Sequence, residues 1–332
     1  MTSVVHDDRV YLRRYLAPLQ RFLARDDVTD LYINRPGELW VETLGGAIEF
    51  HEVSGLDAAT LDRLARQVAA LAHQGISREH PLLSASLPDG ARIQIIAPPA
   101  TRGPLALAIR KHLATELRVD DYVTAGAFDT IRSDAASSQA AANERLARMR
   151  ADGDFGALLK TAIQQRRNIL ISGGTATGKT TFLNALIREI ASEERLILIE
   201  DTPELEMRHA NAVGLVAARS PLGEAIADMD QLLNASLRMR PDRIILGELR
   251  GPEAFTFLRA INTGHPGSMT TIHADSPERA VEQIALLVLQ TGTRLDRDSV
   301  LHYVRSTVDV FVQLARTGGK RHVAEIALRT AV

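Results

Sequence analysis

The residues best suited to chemistry lie between Gly173 and Thr180, where the sequence reads Gly-Gly-Thr-Ala-Thr-Gly-Lys-Thr. This is the pattern G-x-x-x-x-G-K-[ST], preceded by an apolar run and followed by a helical stretch. Glycines allow a tight loop whose N–H groups point inward, and the helix directs its positive end to the same place. We therefore predict a nucleoside triphosphate site in which Lys179 reaches the phosphates and Thr180 ligates Mg²⁺. The predicted nucleotide-binding residues of this loop are Gly173, Gly174, Thr175, Ala176, Thr177, Gly178, Lys179, Thr180 and Thr181.

Two carboxylates end apolar runs further along the chain, Glu200 after Leu-Ile-Leu-Ile and Glu248 after Ile-Ile-Leu-Gly. Hydrolysis of a phosphoanhydride requires a metal ion, charge neutralisation at the γ-phosphate and a group that positions the attacking water. Glu248 is suited to orient the water or to hold Mg²⁺, and Glu200 is suited to share this role. Because two carboxylates near one phosphate repel each other, at least one is expected to act through the metal. Which of the two is the base stays open.

One histidine and four arginines are further candidates. His273 follows the run Ser-Met-Thr-Thr-Ile, but spacing alone does not decide between a catalytic and a packed or exposed role. Cationic donors at the transferred phosphoryl group contribute a factor of about 10³ to 10⁵ in rate. Arg238 and Arg240 precede the second apolar run, whereas Arg92 and Arg110 lie in the first third of the chain. Composition does not choose among these arginines.

The elements that must position these residues can be read from the periodicity. Strand-like runs alternate with helical stretches from residue 154 to 332, which predicts a parallel or mixed sheet with ligands at the carboxyl ends of its strands. Residues 1–117 combine an amphipathic helix, a hairpin around Asn34-Arg-Pro-Gly and further strands, and they predict a small α+β domain. Residues 118–153 are small and polar, and they predict a linker with helical tendency.

Composition excludes several classes of protein. A chain of 332 residues with 45% hydrophobic residues is long enough for two domains. The net charge of -2, with both signs interspersed, gives no electrostatic footprint for nucleic acid, so no specific nucleic-acid binding is expected. The absence of cysteine excludes disulfides and Cys-based zinc sites. No run approaches the length of a membrane span, and His6, Asp7 and Asp8 stand where a signal peptide would be apolar, so we expect a cytoplasmic protein.

Four segments together resemble motifs of the secretion-superfamily traffic ATPases, in the order of that family. They look like its Walker A loop, its acidic box, its Walker B segment and its histidine box. The segments are Gly173-Gly-Thr-Ala-Thr-Gly-Lys-Thr, Ile199-Glu-Asp-Thr-Pro-Glu-Leu, Leu237-Arg-Met-Arg-Pro-Asp-Arg-Ile-Ile-Leu-Gly-Glu-Leu-Arg-Gly and Thr263-Gly-His-Pro-Gly-Ser-Met-Thr-Thr-Ile-His-Ala. Three earlier segments resemble the N-terminal domain of the type IV secretion branch: Ile33-Asn-Arg-Pro-Gly-Glu-Leu-Trp-Val-Glu, Pro88-Asp-Gly-Ala-Arg-Ile-Gln and Ile109-Arg-Lys.

This resemblance implies an α/β fold, with a RecA-like P-loop ATPase domain preceded by a smaller α+β domain. It implies a hexameric ring, peripheral at the inner membrane of a Gram-negative bacterium, that hydrolyses ATP with Mg²⁺ to energise assembly of a type IV secretion system and transport through it. Other components of that system are the implied partners. By position, the resemblance makes Glu248 the Walker B glutamate, Glu200 the acidic-box carboxylate and His273 the histidine-box residue. It also implies that N-terminal arginines approach the phosphates, and Arg92 and Arg110 match those motifs. Arg240, just before the Walker B strand, matches another arginine of the family and is a candidate for catalysis.

Several alternatives stay open. Gly247-Glu248 stands where many phosphate-loop enzymes have an aspartate, so the identity of the Mg²⁺ ligand is unsettled. A pilus-retraction or type II secretion motor, an ATP-gated scaffold with little hydrolysis and a DNA translocase are competing functions, the last disfavoured by the net charge. The length of residues 118–153 also allows the ATPase domain to pack against its own N-terminal domain or a neighbour's.

Overall fold

The computed structural model describes residues 9–112, 118–124, 126–129, 135–218 and 223–329. The first domain begins with the predicted amphipathic helix, which buries Leu12, Leu16, Leu19 and Phe22 on one face. Its elements in chain order are α1 (Arg9–Leu23), β1 (Val28–Ile33), β2 (Glu38–Thr43), β3 (Ile48–Glu52), α2 (Ala58–Leu71), β4 (Leu82–Ser86), β5 (Arg92–Ile96) and β6 (Ala106–Arg110). The strands form one six-stranded sheet in the order β3-β2-β1-β6-β5-β4, and each neighbouring pair is antiparallel.

The hairpin predicted around Asn34 joins β1 and β2. Gly37 has a φ of +83°, a conformation that residues with a Cβ rarely adopt, and this explains glycine at the turn. On one face of the sheet, α1 and α2 pack together over an aliphatic core. α2 starts at Asp57, whose carboxylate accepts a hydrogen bond from the Thr60 backbone N–H at 2.7 Å. The other face of the sheet is turned to the second domain.

The second domain contains a mixed sheet between helices. Its elements are α5 (Phe155–Gln164), β7 (Ile169–Gly173), α6 (Lys179–Ile187), β8 (Leu196–Glu200), β9 (Ala212–Val216), α7 (Met229–Ser236), β10 (Arg243–Leu246), α8 (Glu253–Asn262), β11 (Met269–Ile272), α9 (Pro277–Leu289), α10 (Arg297–Thr307), β12 (Val310–Thr317) and β13 (Lys320–Leu328). The strand order is β13-β12-β7-β11-β10-β8-β9, with β13 antiparallel to β12 and the other pairs parallel. The central parallel strands are buried, and they therefore read as continuous apolar runs.

The stretch predicted as a linker contains two helices in its described part, α3 (Val119–Thr124) and α4 (Ala135–Ala151). α4 packs against α5 and β13, and Leu146 is buried in the same core as Leu158 and Ala162 of α5. The described end of this stretch therefore packs as part of the second domain. The boundaries 1–117, 118–153 and 154–332 stay a prediction.

The interface between the two domains has an apolar part and a polar part. Tyr32 and Ala108, from the N-terminal sheet, are buried in one core with residues of the second domain. The guanidinium of Arg195 lies 4.2 Å from the centre of the Tyr32 ring and donates to Asn34 Oδ1 at 2.8 Å. Burial lowers the pKa of Arg195 to about 10. The Asn34 turn is thus held by a buried arginine of the other domain.

Within the described residues, no helix is long and apolar enough to cross a membrane.

Candidate active site

The phosphate loop joins β7 to α6 and its shape depends on its glycines. Gly178 precedes α6 with a φ of +92°. A Cβ added to Gly173 would lie 2.5 Å from Thr177 Oγ1 and 3.0 Å from the Leu314 carbonyl oxygen of β12. Thr177 closes the loop by donating to the Gly174 carbonyl at 2.9 Å. The close approach of loop and sheet therefore requires glycine at position 173.

Lys179 turns back onto the loop. Its ammonium group donates to the Gly173 carbonyl at 3.0 Å and to the Gly174 carbonyl at 3.4 Å. Burial is the largest influence on this group and lowers the pKa of Lys179. Loop carbonyls thus hold the lysine at the mouth of the loop, where the N-terminus of α6 also favours an anion.

A cleft of about 510 Å³ lies in front of the loop. The carboxyl ends of β8, β10 and β11 border it, because neighbouring parallel strands end at the same edge of the sheet. Its lining residues are Thr175, Ala176, Gly178, Lys179, Thr180, Thr181, Glu200, Asp201, Thr202, Glu204, Gly247, Glu248, Arg250, Thr271, His273 and Arg321. We call this space the P-loop cleft.

Glu248 lies at the centre of the charges in the P-loop cleft. Its Oε1 is 2.9 Å from His273 Nε2 and 3.9 Å from Lys179 Nζ. Its Oε2 accepts from Arg250 Nε at 2.7 Å. Lys179 Nζ also lies 3.3 Å from His273 Nδ1. Three side chains predicted for catalysis, from a loop and two strand ends, therefore meet at one point.

Glu200 lies in the same cleft but its carboxylate is differently held. The residue is 3% exposed, and its Oε2 accepts from the backbone N–H groups of Glu204 at 2.8 Å and Leu205 at 2.6 Å. Its Oε1 is paired with the guanidinium of Arg102, which comes from the N-terminal domain. Both oxygens of this carboxylate are thus engaged by protein groups.

The four arginines predicted from the sequence do not lie at the P-loop cleft. Arg92, Arg110, Arg238 and Arg240 line a second cavity of about 650 Å³ between the two domains, and none of them lines the P-loop cleft. We call it the arginine cavity. Arg240 pairs with Glu42 at 2.7 Å and with Asp242 at 3.1 Å.

Asp30 is the lining carboxylate of the arginine cavity among the described residues. Its Oδ1 is 3.8 Å from Arg110 Nε. Burial is the largest influence on this group and raises the pKa of Asp30. Arg92 has no ion pair in the described part of the chain. Positive charge therefore exceeds negative charge around this cavity.

The sequence did not indicate Arg250 and Arg321, which line the P-loop cleft, or Arg102, which reaches Glu200 from the N-terminal domain. Arg250 stands two residues after Glu248 and bridges it to Asp201, with Nη1 at 2.8 Å from Asp201 Oδ2; its proximity to Glu248 was an available signal. Arg321 lies on β13, and its Cδ would be 3.2 Å from a Cβ placed on Gly178. Nothing in the spacing of the sequence connects Arg321, or Arg102, with the loop.

The cleft fits a nucleotide-bound Mg²⁺ better than a metal held by protein alone. Among the residues described, no group of three or more His, Asp or Glu side chains could hold a metal ion. Mg²⁺ in phosphate-transfer sites needs only one or two protein oxygens, because phosphates and water complete its shell. Thr180 and Glu248 line the cleft, and Glu248 Oε1 meets His273 and Lys179 as ion-pair contacts without a hydrogen bond of regular geometry in the described structure. These donors suit the ion.

Comparison with known proteins gives matches over most of the chain. A family model described as "Type II/IV secretion system protein" matches residues 13–324. The chain is 37% identical over 331 residues to the type IV secretion system protein VirB11 of Bartonella henselae, covering 94% of this chain and 91% of that protein. It is 36% identical over 339 residues to the type IV secretion system protein PtlH of Bordetella pertussis, covering 99% of this chain and 98% of that protein.

A solved structure agrees with both domains. The crystal structure of the VirB11 ATPase from the Brucella suis type IV secretion system, in complex with sulphate, matches with a TM-score of 0.88 and 36% identity. The match covers 97% of this chain and 95% of that chain. The predicted fold class, an α/β RecA-like ATPase domain after a smaller α+β domain, is confirmed. The chain belongs to the type II/IV secretion system protein family, and it is an ATPase of the type IV secretion branch.

Proposed function

We propose that this ATPase works as a homo-hexamer that hydrolyses ATP with Mg²⁺ at the P-loop cleft, peripheral at the cytoplasmic face of the inner membrane. Together with other components of a type IV secretion system, it would energise assembly of that system and transport of its substrate. The observation that carries the catalytic part is the meeting of Lys179, Glu248 and His273 in front of the phosphate loop. The family of the chain supports the rest.

The loop and its lysine bind the triphosphate. Backbone N–H groups of residues 173–181 and the N-terminus of α6 receive the phosphates. Lys179 exchanges the carbonyls of Gly173 and Gly174 for the β- and γ-phosphates, since these carbonyls hold it only by hydrogen bonds of 3.0 and 3.4 Å. Thr180 and Glu248 would hold Mg²⁺, which would supply neutralisation of charge on the transferred phosphoryl group.

Glu248 is also the group that orients the attacking water. Its position 3.9 Å from Lys179 Nζ keeps it close to the place that the γ-phosphate would take. His273 Nε2, at 2.9 Å, restrains one of its oxygens, and Arg250 holds the other. Glu200 is buried and its Oε2 accepts two backbone N–H groups, so it supports the geometry of the site, and we assign metal contact to Glu248 and Thr180.

In this proposal, the arginine cavity serves a different copy of the chain. Arg92, Arg110 and Arg240 face away from the P-loop cleft of their own chain, and they surround a space with excess positive charge. In a ring, a neighbour's triphosphate supplies the anion that this space lacks. The arginines would then stabilise phosphate charge across the interface between protomers.

The first experiment compares ATP turnover and particle mass for the wild-type chain and for Lys179→Ala. We expect wild-type particles near six times 36.3 kDa, and a loss of turnover by about 10³-fold in the variant, because the lysine neutralises charge at the transferred phosphoryl group. The variant should keep the wild-type particle mass. Turnover that survives the substitution would contradict the assignment of the cleft, and a stable monomer with full turnover would contradict the hexamer.

A further inference from the structure

A short segment of the N-terminal domain docks onto the outer strand of the ATPase sheet. Thr101 forms an antiparallel bridge with Leu215 of β9. Arg102 N–H donates to the Gly214 carbonyl at 2.9 Å, and Val216 N–H donates to the Ala100 carbonyl at 2.9 Å. Residues 100–102 therefore extend the edge of the sheet by backbone pairing. This pairing determines the position of the Arg102 backbone against β9.

The side chain of Arg102 passes over a glycine of that strand. A Cβ built on Gly214 would lie 2.6 Å from Arg102 Cδ and 3.1 Å from Arg102 Cγ, closer than real side chains approach. The same Cβ would lie 2.6 Å from Met207 Sδ, the flexible end of a side chain. Gly214 thus leaves the room through which the arginine stem reaches the interior.

The guanidinium ends on the acidic-box segment. Arg102 Nη1 donates to the Leu205 carbonyl at 2.6 Å, and Nη2 pairs with Glu200 Oε1. The same glutamate accepts the backbone N–H groups of Glu204 and Leu205 through its other oxygen. Arg102 is 15% exposed in its side chain and Glu200 is 3% exposed, so the pair is shielded from solvent. Arginine and carboxylate together shape the turn of residues 201–205.

Two hydrogen bonds of Arg250 connect this turn to Glu248, the carboxylate proposed for catalysis. Asp201, at its start, accepts from Arg250 Nη1 at 2.8 Å. Arg250 in turn donates through Nε to Glu248 Oε2 at 2.7 Å. A displacement of Glu200 and its turn would therefore be passed on through Arg250 to Glu248.

We propose that Arg102 is a positioning residue that ties the N-terminal domain to the ATP site, setting Glu200 and the 201–205 turn for hydrolysis. This inference rests on the proposed function of the P-loop cleft. Movement of the N-terminal domain relative to the ATPase domain would pull on Arg102 and thereby change the turnover number. The N-terminal domain would thus control hydrolysis through one buried ion pair.

The competing explanation is that Arg102 only stabilises the contact between the domains. The other contacts at this interface speak against that explanation. The two domains are already joined by the buried Arg195, by an apolar core and by backbone pairing at residues 100–102. A buried ion pair is often no more stabilising than apolar residues of similar volume. An arginine placed here for stability alone would not need to end on a residue that lines the P-loop cleft.

The test compares Arg102→Met with Arg78→Ala in ATP turnover by the full-length protein. Arg78 of the N-terminal domain pairs with Glu224 of the ATPase domain, but both side chains are more than half exposed and neither lines the cleft, so this variant is the matched control. For Arg102→Met we expect kcat to fall about 10- to 100-fold with KM within about threefold, since misplaced catalytic groups cost rate more than binding. Arg78→Ala should keep both constants, and Arg102→Lys should recover part of kcat.

Two further variants cover the case in which Arg102→Met does not fold. Gly214→Ala keeps both charges but displaces the stem, so it should lower kcat with little change in KM. Arg102→Lys keeps a cation beside the buried carboxylate. Equal kcat for Gly214→Ala, Arg102→Lys and wild type would overturn the inference, as would Arg102→Met indistinguishable from Arg78→Ala. An absence of wild-type turnover would instead contradict the proposed function itself.

Discussion

The P-loop cleft and the arginine cavity are both polar spaces, but they differ in origin and in charge balance. The cleft is formed by one domain, from a loop and the ends of neighbouring strands, and its cations Lys179 and Arg250 have Glu248 beside them. The cavity is formed by two domains, and four arginines surround it with Asp30 as the lining carboxylate in the described structure. In the first space cations and a carboxylate are in contact, whereas around the second the arginines outnumber the lining carboxylate of the described residues.

This difference has a physical cause. Parallel strands bring their carboxyl ends to one edge of a sheet, so a single domain collects distant residues there. Arginines that outnumber the carboxylates around them repel one another, and an anion that enters relieves this repulsion. In the proposed function, this contrast corresponds to substrate binding within one chain and charge stabilisation between chains.

The largest effect is expected from Glu248→Gln, which removes the charge at the centre of the P-loop cleft but keeps the shape of the side chain. Turnover should fall by about 10² to 10⁴, because a group that orients or deprotonates the attacking water is lost. ATP binding should remain, since Lys179 and the loop are unchanged. Single-turnover hydrolysis and equilibrium binding of labelled ATP measure the two effects.

Failure of ATP binding in Glu248→Gln would mean that this glutamate organises the cleft and does more than act on water. Very low turnover in the wild-type protein would favour the scaffold alternative. The control is Glu282→Gln, whose carboxylate pairs with Arg297 on the surface and does not line the cleft. It should leave turnover unchanged.

The proposed role of the arginine cavity between chains is tested by mixing two variants of reduced turnover. Lys179→Ala lacks a working P-loop cleft, and Arg92→Ala, expected to lose about tenfold or more in turnover, has a weakened cavity. In a mixed ring, an intact cleft of one chain meets an intact cavity of the other. Turnover of the mixture should therefore exceed the sum of the two separate preparations.

A mixture with only the summed turnover would place Arg92 in its own chain or outside catalysis. Chains carrying both substitutions provide the control, because mixing them with Lys179→Ala offers no intact cleft. Mass measurement of the mixed particles checks that subunits exchange.

Motifs on single segments could be predicted from the sequence because their signals are local. The phosphate loop requires glycines and a lysine within a few residues, and Glu248 ends a buried strand that apolar residues reveal. The hairpin at Asn34 and the alternation of strands and helices follow from turn chemistry and period. Each of these features depends on residues that are close together in the sequence, and the sequence alone therefore reveals it.

Contacts between segments were not predictable in the same way. Arg102 and Glu200 are far apart in the chain, and the pairing of residue 101 with β9 brings them together. The separation of Arg92 and Arg110 from the P-loop cleft depends on how two domains pack, which periodicity does not encode. Helix α4 likewise looked like a linker because its few apolar residues, such as Leu146, give a weak amphipathic signal.

The smallest effect concerns Arg321, which sharpens the boundary of the P-loop cleft. The residue lies opposite Arg316 across the β12–β13 hairpin, a like-charge pair that is unfavourable unless an anion is near. Its stem lies against Gly178, and its guanidinium has no ion pair in the described residues.

We therefore expect Arg321→Ala to raise KM for ATP by about tenfold, the loss of one charge-assisted hydrogen bond, with kcat nearly unchanged. Arg316→Ala does not alter the cleft lining and should leave KM within about twofold, since exposed charges contribute little. Steady-state kinetics on both variants decides the matter: equal KM values would remove Arg321 from the nucleotide site, and a fall in kcat alone would move it from binding to catalysis.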